Sequence, residues 1–181
     1  MKKFDTRKLS IIALLCGMAY ALVAFIRIPV VLFLSYEPKD IIITIGGFLF
    51  GPLTVLCISL IVSLTEMLTI SGTGVWGFIM NVLATCAFAC PAAIIYKRKS
   101  TFTGAVLGLL TGFVIMVPVM LLWNYLIVPL YMPGVTRADM VPMLISMFLP
   151  FNLIKGGLNV AFILLLYKPI TAALRKSGII Y

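Results

Sequence analysis

The sequence predicts an all-α integral membrane protein, a single domain of six transmembrane helices with both termini in the cytoplasm. Hydrophobic residues make up 63% of its 181 residues and charged residues only 10%. Soluble domains contain roughly 45–50% and about 25% of these classes, so a soluble core cannot account for this composition. Basic residues also cluster at three places along the chain, as they do at the cytoplasmic ends of membrane helices. The stops between the apolar stretches then delimit the individual helices.

The first helix is predicted at 10–26 and ends before Arg27. Its apolar stretch is too long for a cleavable signal peptide and no small-residue cleavage pattern closes it, so it stays in the protein as a span. A mixed apolar and charged loop at 30–39 leads to a second span at 40–50, which the Gly51-Pro52 pair ends. A helix of this length reaches only about 17 Å, against a hydrocarbon core of about 30 Å.

The short second span predicts that the loop before it dips to membrane depth. Such a loop is tolerated only where it is buried in protein or lines a cavity. Tyr36 and Glu37 in this loop, and Asp40 directly after it, are therefore candidates for the mouth of an outward-facing cavity.

The remaining four spans are separated by turns, charges or prolines. The third, at 53–70, ends at a Ser-Gly-Thr-Gly turn, and the fourth, at 75–96, ends at the basic loop 97–99. The fifth covers 102–127. A loop follows it, and the sixth span is predicted at 143–174, with prolines interrupting its apolar stretch early.

The net charge is +9, and the positions of the basic residues indicate which ends of the helices face the cytoplasm. The three basic clusters precede the first span, form the loop at 97–99 and follow the last span. With six spans and the N-terminus inside, all three face the cytoplasm, in agreement with the positive-inside rule. No aromatic and basic platform or nucleic-acid motif accompanies them, so nucleic acid is not expected as a partner.

Catalytic and energy-coupling motifs are missing from the sequence. The chain has no histidine, which excludes histidine-based acid–base and triad chemistry. It has no P-loop, so it is not expected to hydrolyse ATP. Its four cysteines are expected to pack as free thiols, since nothing completes a zinc site. We therefore expect neither a cofactor nor a metal, and we expect that the protein is not an enzyme.

Lys155 is the most informative residue, because it lies within an apolar helix. An ionisable group costs at least about 2.5 kcal/mol at the centre of a membrane, so it indicates a partner, a cavity or a function. Asn152 and Asn159 fall on the same helix face, within an arc of about 60°. The alternative is a lysine that snorkels to the headgroups, and the two asparagines weigh against it.

Other polar residues are predicted at a similar depth in neighbouring spans. Asn81 and Asn124 lie towards the outer ends of the fourth and fifth helices, as Asn152 and Lys155 do in the sixth. Together they predict a pocket for a small polar-edged ligand among apolar walls. Amide hydrogen bonds between helices are the alternative. Glu66 is expected either to pair with Lys155 or to cap its own helix.

Two helices carry small residues at spacings of four, which lets another helix approach closely. In the first span these residues are Ala13, Gly17 and Ala21. The fifth span has three such glycines: Gly104, Gly108 and Gly112. Internal packing explains either stripe as well as an external partner does, and the presence of two in so small a chain favours a partner for one.

Four stretches resemble a known family. They are the Tyr-Glu-Pro loop at 34–40, the Gly-Gly-Phe-Leu-Phe-Gly-Pro turn at 46–52, Trp123-Asn124-Tyr125, and the stretch Pro-Phe-Asn-Leu-Ile-Lys-Gly at 150–156. Over its whole length the sequence resembles the riboflavin-binding S components of energy-coupling factor (ECF) transporters. The glycine turn is shared by S components for several vitamins, whereas the loop and the Asn-x-x-Lys pair indicate riboflavin.

The resemblance implies a membrane subunit that captures riboflavin outside a prokaryotic cell and docks in the plasma membrane on a T component driven by two ATPases. It implies that Ala13, Gly17 and Ala21 contact the T component, although this chain has Ala-xxx-Gly where the family has Ala-xxx-Ala. The riboflavin-binding residues that it implies are Leu34, Tyr36, Glu37, Asn81, Asn124, Asn152 and Lys155.

Riboflavin also matches these residue types chemically. Asparagine amides can serve the alternating donors and acceptors of its ring edge, and lysine adds a cationic donor. Four apolar residues are expected to enclose the ring: Phe33, Leu34, Trp76 and Trp123. The alternatives are an S component for another vitamin or for a flavin phosphate such as FMN, an intramembrane enzyme with an acid pair, and a purely structural subunit.

Overall fold

The computed structural model describes residues 6–31, 34–132 and 134–176, which form six helical rods and one small hairpin. The first rod, α1, covers Thr6–Phe25, and the hairpin consists of β1 (Ile28–Val31) and β2 (Leu34–Tyr36). The later helices are α2 (Lys39–Phe50), α3 (Pro52–Thr69), α4 (Gly74–Arg98), α5 (Phe102–Tyr131), α6 (Arg137–Met143) and α7 (Leu149–Lys176). A π-helical turn, Leu144–Phe148, joins α6 and α7 into one rod.

Five rods are long and apolar enough to cross a membrane: Thr6–Phe25, Pro52–Thr69, Gly74–Arg98, Phe102–Leu130 and Arg137–Ala172. The remaining one, α2, has 12 residues. It reaches only about 18 Å and cannot cross a core of about 30 Å upright. This architecture confirms the predicted all-α membrane class with six helices. The assignment of both termini to the cytoplasm stays a prediction.

The segment predicted as a loop at 30–39 begins instead as part of an antiparallel hairpin. Ile28 pairs with Tyr36, and Pro29 pairs with Ser35. Leu34 and Tyr36 are buried and Ser35 is less so, which is the alternation of a half-buried strand. The β-branched and aromatic residues favour this conformation, and the neighbouring charges made the segment resemble a loop.

The last rod begins at Arg137 rather than at the predicted position 143. Its start is fixed by the residues before and within its first turn. The backbone N and the Oγ1 of Thr136 both donate to Asp139 Oδ2, at 2.9 and 2.6 Å. This contact caps the helix, so the helix starts in a segment that the sequence suggested was a loop.

The prolines expected to interrupt the sixth span do not end the helix. The π-helical turn lies between Pro142 and Pro150, and there the N–H of Leu149 donates to the carbonyl of Leu144, five residues back. The turn takes up the irregularity that the prolines create. Single π turns within helices often lie at functional sites.

The glycine stripe of α5 packs against α4. A Cβ atom on Gly108 would lie 2.7 Å from the carbonyl oxygen of Ala92, and one on Gly112 would clash with the carbonyl oxygen of Phe88. The two backbones therefore approach as closely as only glycine allows. Of the two small-residue stripes in the sequence, this one serves internal packing.

Two clusters of buried apolar side chains hold the rods together. The larger runs between α1, α2, α3, α4, α5 and α7 and includes Ile58, Phe88 and Leu109. The smaller lies beneath the hairpin and includes Leu34 and Phe148. Met80 packs against both clusters.

Candidate ligand site

A small cavity of about 30 Å³ lies at the hairpin end of the protein, among β2, α4, α5 and α7. We call it the polar cavity. Its apolar wall includes Leu34, Met80, Met120 and Phe151. Its polar lining consists of Arg27, Ser35, Glu37, Thr73, Asn81, Asn152 and Lys155. In this form the cavity has room for water only.

Lys155 reaches the polar cavity from the second turn of α7 and pairs with Asp40 at the start of α2. Lys155 Nζ lies 3.4 Å from Asp40 Oδ2, and the two residues are 7% and 1% exposed. Charges are tolerated at such depth when an opposite charge and hydrogen bonds accompany them. The ammonium group lies inside the protein, which contradicts the snorkelling alternative.

Asp40 is held by two further donors. Thr85 Oγ1 donates to Oδ1 at 2.6 Å, and Asn159 Nδ2 donates to Oδ2 at 3.3 Å. Asn159 in turn accepts a hydrogen bond from the Tyr36 hydroxyl at 3.3 Å. Burial, and less strongly the charge of Asp40, raise the pKa of Tyr36 above its ordinary value, so the hydroxyl remains a donor. These contacts join α2, α4, α7 and the hairpin behind Lys155.

Lys39, which no sequence pattern singled out, is the centre of a second set of charges. Its side chain is fully buried, and its Nζ lies 2.7 Å from Glu37 Oε2 and 2.6 Å from Glu66 Oε2. Asn81 Nδ2 donates to the same Glu66 oxygen at 3.1 Å. The carboxylate of Glu66 is therefore bound by Lys39 and Asn81. The sequence had led us to expect that Glu66 either pairs with Lys155 or caps its own helix, and both expectations are wrong.

Arg27 pairs with Glu37 at the edge of the protein. Its Nε lies 3.3 Å from Glu37 Oε1, its side chain is 33% exposed, and its Nη1 donates to the Ile70 carbonyl at 3.1 Å. We use the name polar cluster for Arg27, Glu37, Lys39, Asp40, Glu66 and Lys155.

The polar cluster neutralises its own charges. It contains three cations and three anions, and each carboxylate lies within salt-bridge distance of at least one cation. Within the described ranges, no group of three or more acidic or cysteine side chains could hold a metal ion. A neutral polar ligand therefore suits this site better than an ion, which would leave one charge unbalanced.

Two asparagines bond to their own helices and keep part of their capacity free. Asn124 Nδ2 donates to the Met120 carbonyl at 2.7 Å, and Asn152 Nδ2 donates to the Phe148 carbonyl at 2.8 Å. In the described part of the chain, Asn124 Oδ1 has no hydrogen-bond partner although it is buried. An unsatisfied buried acceptor costs about 1–3 kcal/mol, so a ligand that donates to it would gain affinity.

The structure brings five of the seven predicted binding residues to the polar cavity. These are Leu34, Glu37, Asn81, Asn152 and Lys155. Tyr36 and Asn124 are buried but do not line it. The role of all seven residues as ligand contacts stays a prediction.

Of the four apolar residues predicted to enclose the ring, the structure places Leu34 at the polar cavity. Trp76 is 39% exposed, and Trp123 packs against the larger apolar cluster instead. Phe33 lies outside the described residues, and the role of all four as walls for the ring stays a prediction. Two methionines and a phenylalanine, Met80, Met120 and Phe151, line the cavity beside Leu34.

A much larger cavity, of about 680 Å³, lies at the opposite end of the helices. We call it the aromatic cavity, because Phe48, Tyr96, Phe102 and Tyr167 line it. None of the six polar-cluster residues reaches it. The polar cavity remains the better candidate for a specific ligand, because it collects the buried polar groups and the aromatic cavity does not.

Comparison with known proteins agrees with this architecture. A family model described as ECF transporter, substrate-specific component, matches residues 7–167. The chain belongs to this family. A solved structure of the S component of a bacterial ECF transporter has a TM-score of 0.80 and 29% identity, and the match covers 94% of this chain and 98% of that one. ThiT from Listeria monocytogenes, at a TM-score of 0.50 and 17% identity, covers 94% and 96% and shows the shared fold alone.

Three relatives of this S component have names that state a substrate. The riboflavin transporter RibU of Staphylococcus aureus (strain TCH60) is 29% identical over 95% of this chain and 94% of its own. RibU of Streptococcus thermophilus (strain ATCC BAA-250 / LMG 18311) is 28% identical over 95% and 86%. The riboflavin transporter FmnP of Bacillus subtilis (strain 168) is 27% identical over 90% and 91%.

Proposed function

We propose that this S component captures riboflavin for an ECF transporter. The observation that carries the proposal is the polar cavity, where the amides of Asn81 and Asn152 and the ammonium group of Lys155 meet among apolar walls. Riboflavin is flat, with apolar ring faces and an edge of alternating donors and acceptors. Among ligands of that kind we choose riboflavin, because three relatives are named as riboflavin transporters.

The hydrogen-bonding capacity of the site supports a neutral ligand with a polar edge. Lys155 has three N–H groups, and Asp40 is its one salt-bridge partner among the described residues. An amide can donate and accept at the same time, and Asn124 Oδ1 adds a buried acceptor near the wall residue Met120. Since the polar cluster is already balanced in charge, an uncharged vitamin needs no counter-ion.

Riboflavin entry requires the polar cavity to expand. Pockets for small molecules measure about 300–1,000 Å³, whereas this cavity measures about 30 Å³. We place the movement in the hairpin, because β2 supplies one wall through Leu34. On the outer side the hairpin end is held by the pair Arg27–Glu37, which is the partly exposed pair of the polar cluster. Opening this pair costs less than opening a buried one.

The small-residue stripe of α1 supports docking on a transmembrane partner. Ala13 and Gly17 are exposed and Ala21 is partly buried, and a Cβ atom on Gly17 would meet nothing within 4 Å. An open stripe of this kind lets another membrane helix pack closely. We infer that the partner is the T component of an ECF module in a prokaryotic cell membrane, and that two separate ATPases supply the energy.

Riboflavin binding can be tested with the purified full-length protein in detergent. Titration should quench riboflavin fluorescence, and FMN and thiamine should be tried as competitors. Asn152→Ala and Lys155→Ala should each weaken binding at least about tenfold, because each removes a hydrogen bond to the ligand. Lys168→Ala, an exposed lysine on the same helix, is the control. The proposal fails if the wild type does not quench the fluorescence, or if both cavity variants bind as tightly as the control.

Docking can be tested separately by co-expression with a T component and two ATPases. Gly17→Leu should reduce co-purification of the T component and leave riboflavin binding by the isolated chain unchanged. Gly157→Leu is a matched control, because Gly157 is equally exposed on α7 and also has nothing within 4 Å of its Cβ position. Equal recovery of the complex with both variants would contradict a docking role for α1.

A further inference from the structure

The aromatic cavity has no part in the proposed function, although it is more than twenty times larger than the polar cavity, at about 680 against 30 Å³. Its inner end is closed by Ile45 and Ile163, which are buried. It opens where α2 and α4 end and α5 begins. In volume it matches pockets that hold an organic ligand, at about 300–1,000 Å³.

Aromatic rings form much of the wall of the aromatic cavity and are held in place by ring contacts. Phe48 stacks on Tyr96 with ring centroids 4.3 Å apart, and Tyr96 meets Tyr167 edge to face at 6.0 Å. Phe102 contacts the other side of Tyr167 at 5.6 Å. The two tyrosine hydroxyls hydrogen bond to each other at 3.1 Å, so they satisfy each other and present mostly ring surface. Such walls suit a hydrocarbon chain.

The rim of the aromatic cavity is polar and basic. Lys97 is exposed, and its Nζ would lie 3.9 Å from a Cβ atom on Gly51, so the ammonium group stands at the opening. Ser100 and Thr101 add hydroxyls beside it, and none of the described residues that line the cavity is acidic. On the other side, Lys8 Nζ lies 5.5 Å from the ring centre of Phe50, another lining residue.

We propose that the aromatic cavity binds one anionic phospholipid. An acyl chain lies among the four rings, and the phosphate lies at Lys97 and the neighbouring hydroxyls. The charge of the rim decides the class of lipid, since the exposed Lys97 ammonium group, with no acid among the described lining residues, attracts a net negative headgroup more than a zwitterionic one. Basic pockets between membrane helices bind anionic headgroups on the cytoplasmic side, where the predicted topology places this end.

The proposal can be tested by native mass spectrometry of the full-length protein in a mixture of dioleoyl-phosphatidylglycerol and dioleoyl-phosphatidylcholine. These lipids share acyl chains and differ in headgroup charge. One bound lipid is expected, with phosphatidylglycerol favoured about fivefold, the factor for one lysine at a membrane surface. Lys97→Gln should reduce that preference towards equality, whereas Lys168→Gln, an exposed lysine that does not line the cavity, should preserve it.

A second variant separates binding in the cavity from binding on the surface. Thr171→Phe places a ring in the cavity and should lower retention of both lipids at least severalfold, with riboflavin binding unchanged as evidence of folding. Equal retention of the two lipids by the wild type overturns the proposal. A preference that survives Lys97→Gln, or retention that survives Thr171→Phe, also overturns it. The proposal is also overturned if the wild type binds no lipid and Thr171→Phe instead prevents co-purification of a protein partner.

Discussion

The two ends of this S component differ in what they bury and in how tightly they close. At the hairpin end, three of the six polar-cluster residues, Arg27, Glu37 and Lys155, line a cavity of about 30 Å³. At the other end, five aromatic residues line a cavity of about 680 Å³. The charged end is closed because an unpaired buried charge costs several kcal/mol, so its groups stay in contact with each other. Rings without charges tolerate a gap that lipid can fill. Cavity volume is therefore a poor guide to a specific site, and spare hydrogen-bonding capacity is a better one.

The largest expected difference between the two ends concerns a lysine at each. Lys39→Met removes the partner of Glu37 and Glu66 and should lower the free energy of unfolding by about 3–5 kcal/mol, as breaking buried ion pairs does. Lys97→Met, at the rim of the aromatic cavity, is exposed and should change it by less than about 0.5 kcal/mol. Unfolding by SDS in mixed micelles measures both. An equal loss of unfolding free energy in Lys39→Met and Lys97→Met would show that Lys39 contributes no more to stability than Lys97.

A smaller effect is expected from the backbone at the aromatic end. Gly51 joins α2 to α3 with φ of 94° and ψ of 178°, a conformation that costs other residues about 1–3 kcal/mol. Gly51→Ala should therefore lower the unfolding free energy by about that amount. The control is Gly72→Ala at the hairpin end, where a Cβ atom meets open space. If Gly72→Ala lowers the unfolding free energy as much as Gly51→Ala does, the backbone conformation of Gly51 is not the cause of the loss.

The smallest effect is expected where the polar cluster meets solvent. Arg27→Ala should lower the unfolding free energy by only about 0.2–1 kcal/mol, because the Arg27–Glu37 pair is partly exposed and Lys39 still neutralises the carboxylate. Riboflavin should nevertheless dissociate faster, since the pair holds the hairpin closed. Stopped-flow fluorescence measures that rate. A large loss of stability, or an unchanged rate, would contradict the distinction between the inner and outer ion pairs.

The sequence predicted the fold well because apolar stretches and helix stops are local signals. Six helices follow from them, as does the shortness of α2. The α6 start was missed, since the cap of Thr136 by Asp139 extends a helix into a segment that proline seemed to exclude. The hairpin was missed because charges adjoin its strands.

The candidate site was predicted in part. Lys155 and Asn152 stood out because an apolar helix makes polar residues conspicuous. Lys39 did not, because it precedes an apolar span and looks like a surface charge. The isolated Glu66 was the available signal, because an acid in an apolar helix needs a cation. We expected Lys155 as that cation, whereas Lys39, 27 positions before Glu66, binds it in the structure. Only the packing of α2 against α3 decides between them.

The equal numbers of cations and anions in the polar cluster have an electrical consequence. A resting cell maintains a voltage across its membrane, and moving one elementary charge through 100 mV takes about 2.3 kcal/mol. If the ionised cluster and an uncharged vitamin cross the bilayer together, the charges of the six side chains cancel and the voltage does no net work on them. Uptake rates measured in vesicles should therefore be nearly the same whichever way the voltage is applied.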